Sequence, residues 1–537
     1  MKLNAKELEN KKAWEEAGFV LPEFDREAVT KATKENPQWI HLGAGNIFRA
    51  FPAAVLQKLL NKGHMKTGLI VAEGYDYEII DKMYAPHDNL SLLVTLKANG
   101  TIEKNVIGSI VESLQMDENN EKDFGRLKEI FTAKSLQMVS FTITEKGYSL
   151  KNAAGEYLGN VTEDFKNGPS KASSYIGKLS ALMYERFLNG ELPVALVSMD
   201  NCSHNGTKLY EAVNEFASKW EDNGLVKAGF KAYINDSDKV SFTWSMIDKI
   251  TPRPDDSVKK MLTDAGFEDV EAAVTSKKTF VAPFVNAEES QYLVIEDNFP
   301  NGKLPLDKAG IIYTDRETVD KVEKMKVCTC LNPLHTALAV FGCLLSYKAI
   351  YKEMEDAELK KLVEIIGYKE GLPVVVNPGI INPKDFIDEV LNVRVPNPFM
   401  PDTPQRIATD TSQKLSIRFG ETIKAYEKSE TLDVKDLKLI PLVLAGWCRY
   451  LMGIDDDGNK FELSPDPMLD TVCPYVADIK LGDTCSFHEQ LQPILSDERI
   501  FGLDLYKAGL AELVENYFAE LVKGKGAIRE TLRKYVG

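Results

Sequence analysis

An apolar run that ends in two glycines one position apart, Trp39-Ile40-His41-Leu42-Gly43-Ala44-Gly45, constrains this chain more than any other feature. Gln38–Leu42 reads as a short buried strand. Ala53, Ala54, Leu56, Leu59 and Leu60 then fall at helical spacing up to Gly63, and Gly68–Glu73 is a second buried strand. Strand, glycine turn, helix and strand make one βαβ unit, and such units carry parallel sheets. Apolar runs recur at Gln137–Thr144 and Pro193–Met199 with helical patterns between them. From about Thr279 to Tyr313 strand-like runs succeed one another without long helices. After Asp315 the spacing is helical over 318–351, 354–367, 403–427, 434–453 and 503–535, with Pro-rich loops between. The expected architecture is α/β: a Rossmann-type parallel-sheet domain with an antiparallel extension over 1–318, then an all-α domain over 319–537. The first 37 residues read as a helical lead-in.

Charge and cysteine usage narrow the function. Lys and Arg total 65 against 81 Asp and Glu, a formal charge of −16. A nucleic-acid binder needs a basic footprint, and none is seen. Cations for an anionic ligand would have to be gathered in one pocket against the overall field. The N-terminus is too charged for a secretory leader, and the longest apolar runs are too short for a membrane span or carry Arg449. Seven cysteines, an odd and sparse count, suggest reduced thiols in a cytoplasmic protein. No nucleic-acid or membrane partner is expected, and the chain is expected to act as a monomer or small homo-oligomer.

The glycine pair carries the first chemistry. Glycines so placed allow a tight turn and close approach of backbone to a pyrophosphate, which the N-terminus of the next helix attracts. Gly43, Gly45, Asn46, Ile47, Phe48 and Arg49 are therefore cofactor-binding candidates. Phe48 stands where a third glycine is usual, so the helix must pack differently on the sheet. Glu73, ending the next strand, suits a ribose 2′-hydroxyl and repels a 2′-phosphate, which favours NAD over NADP; Asp76 competes for that role.

Four further segments concentrate polar residues beside apolar elements: TITEKGY (142–148), SMDNCSHNG (198–206), SMIDKITP (245–252) and KVCTCLNPLHT (326–336). With HLGAGNIFRAF, QYLVIEDNFP and NPFMPDTPQRIATDTSQKL they stand in the order seen in the long-chain polyol (mannitol) dehydrogenase family, which the chain resembles over roughly residues 38–535. The resemblance implies metal-independent NAD(P)-linked oxidoreduction. It implies a lysine general acid/base, Lys326; two asparagines on the substrate oxygen, Asn201 and Asn332; His335 beside them; and Asp248 supporting the proton path. It adds Thr144 and Glu145 to the cofactor set. The chemistry is coherent, because an alkoxide formed by hydride transfer needs neutral donors to stabilise it and a proton. Singly, Lys326 reads as a surface lysine and His335 as a core histidine; the ordered set gives them weight.

One offset departs from the family pattern. Lys326 lies six residues before Asn332, where five are usual, and Val327 takes the expected place. One residue is a rotation of about 100° on a regular helix, so a π-bulge or another break is expected between 326 and 332. Lys324 is the fallback. Cys328 and Cys330 have no second ligand pair, so a zinc site is not expected.

Arg394, Arg406 and Lys414 are the substrate-binding candidates. Arg406 and Lys414 match a cationic pair of the family, and two cations in one pocket suit a carboxylate. The 326–345 segment most resembles the branch of the family that reduces fructuronate to mannonate with NADH. Tagaturonate reduction and mannitol 2-dehydrogenation are the alternatives within the family, so the partner is a small sugar acid or polyol. A nucleotide-binding protein without catalysis and a zinc-dependent alcohol dehydrogenase are the readings from other classes.

Overall fold

The computed structural model describes residues 1–152, 154–253, 256–400 and 402–537; Pro401 of the last motif lies outside them. The chain forms two compact units, Met1–Lys97 with Thr101–Asp320, and Lys321–Gly537 with Ala98–Gly100.

The first unit is built on six parallel strands: β1 (Trp39–Leu42), β2 (Leu69–Glu73), β3 (Ile110–Gln115), β4 (Met138–Phe141), β5 (Val194–Ser198) and β6 (Val240–Thr243). Their spatial order is 3-2-1-4-5-6, and every neighbouring pair is parallel. This is the doubly wound dinucleotide-binding order, with its switch point between β1 and β4. The strands bury both faces, as parallel sheets do. Trp39, Val71, Met138 and Val197 pack on one side, and Ile40, Ile70, Val139 and Leu196 on the other.

The helix after the glycine turn is two pieces, α1 (Asn46–Ala50) and α2 (Pro52–Asn61), joined at Phe51. Pro52 has no N–H to give to the turn before it, so one continuous helix is disfavoured there. Phe48 is fully buried and its ring stacks on His41 of β1 at 4.3 Å and 16°. That stacking replaces the close helix–sheet contact a third glycine would allow.

Beyond β6, β7 (Ser245–Asp248) pairs antiparallel with β8 (Tyr292–Glu296), which runs parallel to β9 (Ile312–Thr314). A further, four-stranded sheet was not anticipated. It joins Phe19–Val20, the hairpin Ser91–Leu96 and Ile102–Ile107, and Phe284–Glu288. The lead-in is accordingly not purely helical: Lys11–Glu16 and Arg26–Glu35 flank the edge strand.

The second unit is helical. A helix α3 (Arg316–Met325) crosses the unit boundary, and α4 (Asn332–Leu344) and α5 (Leu439–Tyr450) form the centre of the second unit. All of α5 is buried. Its first N–H groups are held by the buried Glu370 carboxylate, which accepts from Lys438 (2.8 Å), Leu439 (2.7 Å) and Ile440 (2.8 Å). The run Arg316–Leu344, taken across the turn at 326–331, is long and apolar enough to cross a membrane, more than the sequence suggested. Its most apolar window is, however, 78% buried inside the protein, so it is a core element.

Several helices end where the periodicity did not. The expected 403–427 helix breaks at Asp410, which sits at φ 54°. The 503–535 helix is Ala511–Leu521 and Ala527–Val536, split by Gly524 and Gly526. Pro383–Glu389, read as loop, is a helix because Asn382 caps it and Pro383 takes the first position, where its missing N–H costs nothing.

Phe48→Ala should leave a void against His41 and lower stability by about 3–5 kcal/mol. Urea unfolding monitored by tryptophan fluorescence measures this.

Candidate functional site

The predicted site residues divide between the two units. In the first, Gly43 lies at φ 111°, and a Cβ there would come 2.3 Å from the Thr142 carbonyl oxygen, so the fold itself requires glycine. Gly45 is different. It lies at φ −80°, and a Cβ on it would meet nothing within 4 Å. The space above Gly45 is open, as a turn that lets a pyrophosphate approach the backbone must be. The helix that starts there has no side-chain cap, which leaves first-turn N–H groups for an outside acceptor. These residues fit a bound dinucleotide.

Asn46 and Ile47 are half-buried on that first turn. Arg49 is buried and engaged within the protein: its guanidinium donates to Ala282 O (2.7 Å), Ser91 Oγ (3.2 Å) and Asn46 Oδ1 (2.8 Å). It shapes the turn from beneath.

Glu73, buried at the end of β2, accepts N–H bonds from Ala44 (2.9 Å), Tyr75 (2.8 Å) and Asp76 (3.0 Å). The carboxylate thus ties the glycine turn to its neighbouring strand. Its competitor Asp76 accepts from the Thr275 hydroxyl at 2.6 Å.

At the end of β4, Thr144 is held at φ 64°, an unusual conformation for a β-branched residue. Asp200 holds it there. Its buried carboxylate accepts from Thr144 N (2.8 Å), Ile143 N (2.9 Å) and the Tyr148 hydroxyl (2.5 Å). Burial pushes the Asp200 carboxyl up, and these bonds oppose the shift. Glu145 is exposed and pairs with Lys208 at 2.8 Å. Asn201, next to Asp200, is exposed at the end of β5.

The loop carrying Asn201 is fixed by two residues that sequence reasoning did not single out, Asp200 and Asn205. The buried Asn205 amide donates to the carbonyls of Asp200 (3.0 Å) and Ser245 (2.9 Å) and accepts from Ser245 N (3.1 Å). This stitches the end of β5 to the start of β7, whose last residue is the buried Asp248. The available signal was a carboxylate two positions after an all-buried strand, at Asp200.

In the second unit the helical break between residues 326 and 332 is present. Lys326–Cys330 forms a single π-turn, closed by Leu331 N to Lys326 O at 3.1 Å, and α4 starts afresh at Asn332. The wider turn takes up the additional residue. Lys326 is 3% exposed. Cys330 is a buried thiol pushed up to about 12 by desolvation. Among the described residues no cluster of three His, Cys, Asp or Glu could hold a metal.

Around His335 the unit gathers cations. The imidazole is held down at about 4 by burial and by Arg394, Arg418 and Arg406, against the opposing pull of Asp402. Arg394 ends a π-turn (Val390–Arg394) and is buried; Arg418 sits in another (Ser416–Gly420). Lys414 is half-buried and donates to Thr409 O at 2.5 Å, and burial, Arg418 and Arg406 all lower its proton affinity. Arg406 is exposed and paired with Asp402. Arg418 was not singled out in the sequence.

Residues 37–308 match the mannitol dehydrogenase Rossmann domain, and residues 318–522 match the mannitol dehydrogenase C-terminal domain. The chain belongs to the mannitol dehydrogenase family. It is 54% identical to a D-mannonate oxidoreductase of Thermotoga maritima, covering 100% of this chain and 99% of that protein. It is 29% identical to mannitol dehydrogenase 2 of Saccharomyces cerevisiae over 88% of this chain and 86% of the relative. Among solved structures, Pseudomonas fluorescens mannitol 2-dehydrogenase in ternary complex with NAD and D-mannitol matches with a TM-score of 0.69 and 25% identity, covering 99% of both chains. A substrate-free D-sorbitol dehydrogenase at 23% identity shares the fold, with a TM-score of 0.77 over 95% of this chain and 97% of that one.

His41, held at about 3 by burial, and His335, at about 4, stay neutral in the folded protein well below the ordinary value near 6.5. Between about pH 4 and 6.5 the unfolded chain takes up protons that the folded chain refuses, so stability falls as pH drops through that window. His335→Gln should remove about 1 kcal/mol per pH unit of that slope, measured by urea midpoints across the window.

Proposed function

We propose that this chain is an NAD-dependent reductase that converts the ketone of a hexuronate, D-fructuronate, to D-mannonate. The observation that carries the reading is the group of cations around His335 in a chain whose overall charge is −16. Such a site suits a substrate with a carboxylate. The full-length similarity to a D-mannonate oxidoreductase supports the same substrate class.

The glycine turn receives the pyrophosphate, with Gly43, Gly45, Asn46, Ile47 and Phe48 forming its floor and Arg49 bracing it. Thr144 and Glu145 border the cofactor from the end of β4. Glu73 would accept from the adenosine ribose 2′-hydroxyl and disfavour a 2′-phosphate. When bound, NADH supplies the hydride.

The protein supplies the rest. Asn201 and Asn332 donate hydrogen bonds to the substrate oxygen as it becomes an alkoxide, and do not compete for its proton. Lys326 delivers the proton, and Asp248 supports its replacement. His335 remains neutral and orients the oxygen. Arg394, Arg406 and Lys414 draw the carboxylate to the helical unit. No step calls on a metal. The seven free cysteines suit a reducing compartment, the cytoplasm.

NADH oxidation at 340 nm should be rapid with D-fructuronate and slow with D-tagaturonate and fructose; preference for fructose would assign the chain to polyol metabolism instead. NADPH should serve poorly, and Glu73→Ser should narrow that preference. Dialysis against a chelator should leave the rate unchanged.

Lys326→Ala should abolish the pH-dependent limb of kcat while NADH binding, monitored by fluorescence, survives. Asn332→Ala should lower kcat/KM by about 10²–10³. Normal turnover in either variant removes that residue from the mechanism.

A further inference from the structure

We infer that Arg418 is the residue that grips the substrate carboxylate, and that it sets the preference of this site for sugar acids over neutral polyols. The inference rests on the oxidoreductase reading above and assigns its specificity to one side chain.

The geometry begins at α4. Arg418 reaches from its π-turn to Thr336, where Nη1 donates to the hydroxyl at 2.5 Å. Thr336 is next to His335 in the chain, and its hydroxyl donates to the Asn332 carbonyl at 3.0 Å. The guanidinium is therefore fixed on the turn that carries Asn332 and His335. Its charge is felt there, since it is one of the arginines that keep His335 neutral.

A guanidinium has five N–H donors, and this one spends a single N–H on a neutral hydroxyl. Among the described residues no carboxylate pairs with Arg418. Two acids that act on the neighbouring His335 and Lys414 are committed elsewhere: Asp402 to Arg406, and Asp466 to the backbone N–H (2.7 Å) and hydroxyl (2.5 Å) of Ser412. Burial alone lowers Arg418 to about 10. A partly desolvated cation without a counter-ion is unfavourable unless a ligand provides one.

Two of the other candidate cations, Arg406 and Lys414, are less suited. Arg406 has a side chain 62% exposed and is neutralised by Asp402. Lys414 is a point charge already bonded to a carbonyl. Arg418 offers a planar fork that matches the two oxygens of a carboxylate, a match that a polyol hydroxyl cannot reproduce.

The test uses the full-length enzyme, with Arg418→Gln and Arg418→Lys compared on D-fructuronate and fructose. Arg418→Gln should raise KM for D-fructuronate about 100-fold and leave kcat within about threefold, with KM for fructose within about twofold. Arg418→Lys should fall between wild type and Arg418→Gln, and it keeps the test available if the glutamine variant folds poorly by circular dichroism. An unchanged KM for D-fructuronate, or an equal loss on both substrates, overturns the inference. Calorimetric titration with D-gluconate and with D-mannitol reads the same contact without turnover. If wild type fails to reduce D-fructuronate, the proposed reaction falls by itself. Arg418 is then judged by whether Arg418→Gln weakens D-gluconate alone; equal affinity for D-gluconate in both proteins overturns the inference.

Discussion

Buried carboxylates bonded to backbone N–H groups hold the C-terminal edge of the parallel sheet together. Glu73 accepts from the glycine turn across the gap between β2 and β1, and Asp200 accepts from the β4 loop across the gap between β5 and β4. Among the described residues, neither has a lysine or arginine hydrogen-bonded to it. The desolvation of each charge is offset by three short bonds, the way a buried anion can persist without a counter-ion. The loops at this edge depend on these ties. The glycine turn is held against its neighbour, Thr144 is kept in a conformation it would otherwise avoid, and the Asn201 loop starts from a fixed point. Strain of this kind survives only where the surroundings over-determine it, and it gathers at working sites.

The helical unit uses a different device. Among the described residues four of its helical segments contain π-turns, and three of these turns carry Lys326, Arg394 and Arg418. A π-turn inserts one residue and rotates the next stretch of helix, so it re-aims side chains without ending the helix. In an acidic chain such re-aiming gathers cations that would otherwise spread over the surface. Burial, and then their mutual repulsion, keeps His335 and Lys414 poorer in protons than in water, and an anion would relieve the repulsion.

The strand runs at 38–42, 68–73, 137–144 and 193–199 were legible because each is an unbroken apolar stretch, the mark of a strand buried on both faces. The hairpin Ser91–Leu96 and Ile102–Ile107 was not, because the first four residues of its second strand are partly or fully exposed and it carries no strong run. Helices with internal proline, such as Leu469–Val476 and His488–Leu495, escaped for a related reason: proline reads as a breaker, and only the surrounding packing tolerates it.

By itself the sequence determined the local events: the glycine turn after a buried strand, the acid at the next strand end, the order of the polar motifs, and a six-residue interval that no regular helix could accommodate. These depend on neighbours along the chain, whose geometry backbone sterics dictate. Only the tertiary structure decided which polar groups are consumed and which remain available. Arg49, a cofactor candidate by position, is spent on carbonyl, hydroxyl and amide oxygens of its own unit. Arg418, unremarkable in sequence, stands partly desolvated with one neutral partner among the described residues. Burial and pairing arise from residues distant in the chain, such as Ala282 for Arg49 and Thr336 for Arg418, and no local pattern encodes them.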